Sequence, residues 1–96
     1  MEYVTTITLE HTGDAEDADA LLDTFLAQHA DASPIVGEDL KAGTIDVTFA
    51  VNAEDGYEAF ELARGVFARA TEHTRFARPV VGVTVEAAGF RELEAA

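Results

Sequence analysis

The chain has 96 residues, with 19 Asp and Glu against six Lys and Arg, a net charge of −13 at neutral pH and no cysteine. One domain of this size buries roughly 64% of the surface its extended chain exposes, enough for a two-layer core without covalent staples. The missing thiols exclude disulfides, thiolate metal sites and cysteine nucleophiles, and so acidic a surface disfavours nucleic acid and anionic membranes while favouring cations or a basic protein partner.

Residues 3–10, "YVTTITLE", alternate in pattern. Tyr3, Thr5, Ile7 and Leu9 share one face, and Val4, Thr6, Thr8 and Glu10 the other, which is the signature of a half-buried strand. Ala18, Leu21, Leu22, Phe25, Leu26 and His29 then recur at spacings of three and four. They predict an amphipathic helix from Asp14 to Ala30, with Asp14 as N-cap and Glu16 and Asp17 in the first turn. "ASPIVGEDL" reads as a short strand over residues 34–40, and Gly43 in "KAG" suits a tight turn. "TIDVTFAV" is a third strand with Ile45, Val47, Phe49 and Val51 inward. Asn52 is the expected N-cap of a second helix whose stripe is Ala59, Phe60, Ala63, Val66, Phe67 and Ala70. Arg69 and Arg75 fall near its C-terminal end, where cations suit the dipole. Pro79 stops that helix, and "VVGVTVEAA" is the last strand, with Val81, Val83 and Val85 on one face. A tail over residues 88–96, "GFRELEAA" at its end, closes the chain.

This order implies a single α+β domain over residues 1–96. The expected form is a ferredoxin-like βαββαβ sandwich, a four-stranded antiparallel sheet in the order 4-1-3-2 with two helices on one face. Such a frame hosts many unrelated functions, so function has to be argued from a site.

The acidic run Asp14, Glu16, Asp17, Asp19 invites a calcium reading. Counted from Asp14, however, a calcium loop lacks its oxygen at the fifth position (Ala18) and its glycine at the sixth (Asp19). Helix capping accounts for these acids instead. His11, His29 and His73 show no metal-ligand spacing, and His29 and His73 are expected in helix C-terminal turns. Ser33 lies directly before Pro34 and outside any nucleophile elbow. No catalytic residue, metal ligand or cofactor is therefore assigned, and an enzyme is not the expected class. Four of the six basic residues, Arg64, Arg69, Arg75 and Arg78, crowd positions 64–78. They could complement the second helix's dipole, with Glu61 pairing to Arg64. The candidate ligand or anion site combines Arg75, Arg78 and the apolar wall of Phe76 with His11 and Gly13 from the first strand–helix loop. Gly13 occupies the place where, by analogy of fold alone, small regulatory domains take their ligand.

The open sheet face, Thr6, Thr8, Asp46, Thr48, Thr84 and Glu86, has none of the aromatic and basic platform that single-stranded RNA binders need. The fourth strand is a predicted edge carrying no charge before Glu86, and edges of that kind are normally blunted or covered. Val81, Val83, Val85 and Phe90 are the candidate contacts of a homodimer. The expected function is thus a non-catalytic interaction or assembly module, with a small-molecule-binding domain, regulatory or enzymatic, using the cleft near the first strand–helix loop as the alternative. No apolar run approaches the ~18 residues of a membrane span and no leader pattern opens the chain, so a cytoplasmic protein is expected.

Overall fold

The computed structural model describes residues 1–88. Its elements are β1 (Glu2–Glu10), α1 (Asp17–His29), a 3₁₀ turn (Ala30–Ala32), β2 (Ile35–Asp39), β3 (Thr44–Asn52), α2 (Gly56–Thr71) and β4 (Gly82–Ala87). The four strands form one antiparallel sheet in the order β2-β3-β1-β4, which counted from the β4 edge reads 4-1-3-2.

Strict alternation puts Ile7 and Leu9 of β1 and Ile45, Val47 and Phe49 of β3 on one face, all buried. Both helices lie on that face. Leu21 and Phe25 of α1 and Ala63, Phe67 and Ala70 of α2 join the strand residues in one cluster. The Phe25 ring is its hub, 5.1 Å from the Phe49 centroid and 6.0 Å from that of Phe67. Tilted ring pairs of this kind contribute about 0.5–1.5 kcal/mol each beyond their burial. Thr5 also points into the core, and its hydroxyl is satisfied by donating to the Phe49 carbonyl at 2.9 Å.

The helix starts differ from expectation. α1 begins at Asp17 rather than Asp14, because Asp14 first closes a turn of its own: its carboxylate accepts from the Glu16 N–H and its carbonyl from the Asp17 N–H. Asp55, not Asn52, caps α2, its Oδ1 accepting the Glu58 N–H at 2.8 Å. Asn52 is instead the last residue of β3, opposite Glu2. α2 ends at Thr71, so Arg75 lies beyond the helix, and His73 is an exposed residue at φ 66° rather than part of its last turn. β4 begins at Gly82, leaving Val81 ahead of the strand and 54% exposed rather than within it. Phe90, the remaining candidate dimer contact, lies outside the described residues.

Candidate functional site

Two connections meet at one end of the sheet, the loop from β1 to α1 and the segment from α2 to β4. Gly13, at φ 91°, lets the first loop reverse in a conformation other residues resist. Asp17, fully buried, is where the two connections join. Its Oδ2 accepts the Thr12 hydroxyl at 2.5 Å, and its Oδ1 accepts Arg75 Nε at 2.8 Å, with Arg75 Nη2 also 2.8 Å away. Burial pushes the Asp17 carboxyl up, but the hydrogen bonds from Thr12 and Arg75 and the charges of Arg75 and Arg78 outweigh it and hold the group below its ordinary 3.8.

The same segment presses Phe76 into the core, with the Arg75 and Arg78 guanidiniums 5.2 and 5.8 Å from its ring centroid. Arg78 Nη2 donates to the Glu10 carbonyl at 2.7 Å, while its Nε is buried without a partner among the described residues. Arg75, Phe76 and Arg78 are thus brought together, but the Arg75 charge already faces Asp17. His11 turns the other way. Its Nδ1 accepts the Gly13 N–H at 2.8 Å, which leaves the ring proton on Nε2, against Glu38 of β2. His11 and Gly13 share a loop with Thr12, yet the imidazole works across the β2 side rather than beside the arginines.

Asp46 lies across from Gly37 on the open sheet face. Burial pushes its carboxyl up, a backbone hydrogen bond from Gly37 pulls it back, and the charge of Asp39 adds to the rise. Asp46 is aligned with Thr8 of the intervening β1, whereas Glu86 is aligned with Val4, so the two carboxylates are not neighbours. Among the described residues no group of three or more His, Cys, Asp or Glu is placed to hold a metal ion, and no helix is long and apolar enough to cross a membrane.

An open groove of about 600 Å³ runs between α2 and the 77–83 segment. Phe60, Phe67, Val81 and Val83 line it together with Arg64 and Arg78. No acidic residue is among its dozen lining positions, although Asp and Glu fill 19 of the chain's 96. Arg64 does not pair with Glu61. It stands over the Phe60 ring, 5.6 Å from the centroid.

The outer border of β4 is defined by parity. His11 N–H bonds to Gly43 O and Ala53 N–H to Met1 O, so the odd-numbered positions of β1 exchange hydrogen bonds with β3. Its even-numbered positions must then face β4, where Val4, Thr6 and Thr8 oppose Glu86, Thr84 and Gly82. The N–H and C=O groups of Val83, Val85 and Ala87 therefore point off the sheet. No strand among the described residues pairs with them.

No family model, curated protein or solved structure matches this chain. The groove and the Asp17 clamp escape a reading of the sequence for a shared reason. Asp17 looks like any first-turn acid, and its partner Arg75 lies 58 residues away. The only available signal was that Arg75 falls close before Pro79, too late to belong comfortably to the second helix.

Proposed function

We propose that this chain is a ferredoxin-like, non-catalytic interaction module that assembles as a homodimer through the outer border of β4. The observation that carries it is the run of outward backbone groups at Val83, Val85 and Ala87 on a strand with no charge before Glu86. Two such strands related by a twofold axis satisfy each other's donors and acceptors and join two four-stranded sheets into one. Val81, exposed beside the strand's start, extends the apolar contact. β2, the opposite edge, carries Gly37, Glu38 and Asp39 and is poorly suited to pairing. The acidic remainder of the surface is left to a basic protein partner.

The test is sedimentation equilibrium of the wild-type chain and two variants at about 100 µM, well above the micromolar dissociation constants of weak specific pairs. Val85→Pro removes an outward N–H and a half-buried side chain packed beside Tyr3, but no bond of the β1 ladder, and should yield a folded monomer by circular dichroism. Thr84→Glu places like charges across the twofold axis without touching the core and should weaken the dimer as well. A monomeric wild-type chain, or a Thr84→Glu chain and a folded Val85→Pro chain that both remain dimers, would overturn the assignment.

A further inference from the structure

We infer that the groove between α2 and the 77–83 segment binds a small amphipathic carboxylate, its apolar body against Phe60, Phe67, Val81 and Val83 and its head at Arg64 and Arg78. A volume of about 600 Å³ falls within the size of small-molecule sites, and mostly apolar walls with a few polar groups are their usual composition. The charge pattern selects the head group. The molecule as a whole attracts cations, yet this concavity holds two of its six basic residues and no acid. Both guanidiniums are also positioned. Arg64 rests on the Phe60 ring, and Arg78 is tethered to the Glu10 carbonyl through Nη2 with its Nε buried, leaving Nη1 to a ligand. Arg75 is not available for the same task, since Asp17 already occupies its Nε and Nη2. All the walls come from one chain, and Val81 is the wall that a second copy paired at β4 would also touch.

Two probes of equal length and opposite charge decide the matter. The full chain, labelled with ¹⁵N, is titrated at low salt with sodium octanoate and separately with octylammonium chloride, following backbone amides by NMR. The overall field favours octylammonium everywhere except at a local cationic site. Octanoate should therefore give saturable shifts centred on Ala68, Thr71, Val80 and Gly82, while octylammonium should leave those amides unmoved. Arg64→Gln, an exposed change that does not disturb the core, should weaken octanoate about 3- to 10-fold. Arg78→Gln should do so too, provided amides outside the groove keep their positions. Octylammonium saturating the same amides, octanoate shifts scattered over other surfaces, or an Arg64→Gln affinity equal to wild type would each overturn the site.

Discussion

Asp17 and Arg75 are unequal partners, and that inequality has measurable consequences. Asp17 is wholly enclosed, whereas the Arg75 side chain is 51% exposed. Removing the arginine strands a buried carboxylate with Thr12 as its remaining side-chain donor, and Arg75→Met should cost about 3 kcal/mol, the low end for breaking a buried pair. Asp17→Asn leaves a guanidinium that water can reach, and a neutral amide that still accepts from it, so its cost should be about 1 kcal/mol. Thermal unfolding of the two variants at pH 7 should place the arginine variant clearly lower, and equal losses would contradict the asymmetry. The pH dependence supplies a second reading. Because the folded Asp17 carboxyl titrates below its ordinary 3.8, its stabilisation is complete above that value and disappears as pH falls through the folded one. Wild type should therefore lose its advantage over Asp17→Asn on acidification below about pH 4. Asp46 contributes with the opposite sign, its raised carboxyl disfavouring the fold once ionised. It is present in both proteins, so it cancels from the comparison.

At the scale of elements, the caps distinguish two accounts of where α2 begins. Asn52, Glu54 and Asp55 all suit a helix start, and nothing local separates them. In the structure only Asp55 bonds into the first turn, while Glu58 reaches back to the Glu54 N–H at 3.2 Å. Asp55→Ala should cost about 1 kcal/mol, and Asn52→Ala, at an exposed strand end, should stay within about 0.5 kcal/mol. Urea unfolding of the two variants tests this directly, and the reverse order of losses would place the cap at Asn52 after all. The same ambiguity explains what was legible in the chain. β1 and β3 were plain because one face is buried and the other is not, so Ile7, Leu9, Ile45 and Val47 had to alternate with polar residues such as Thr8 and Asp46. The stripes of α1 and α2 were plain for the equivalent reason at a period of 3.6. The loop after β1 was not, since Asp14, Glu16 and Asp17 satisfy the same first-turn preference, and a distant arginine decides which is enclosed. The groove was hidden for a related reason, because it exists only where residues 60–71 face residues 77–83.

At the scale of the whole molecule, charge opposes the proposed assembly. Each copy carries −13, so the proposed dimer would bring two like-charged bodies together along a border of outward backbone groups and valines whose one charged side chain is Glu86. Screening should then strengthen association. The Debye length falls from about 30 Å at 0.01 M salt to about 8 Å at 0.15 M, so most of the repulsion should vanish below roughly 0.3 M. Hydrophobic salting-out grows steadily beyond that point, and the shape of the curve separates the two effects. Dimer dissociation constants measured by sedimentation from 0.01 to 1 M sodium chloride should fall about 10-fold, with the change concentrated at the low end. An interface built on charge pairs would weaken over that same range, and dissociation that rises with salt would remove β4 as the seam between the two copies.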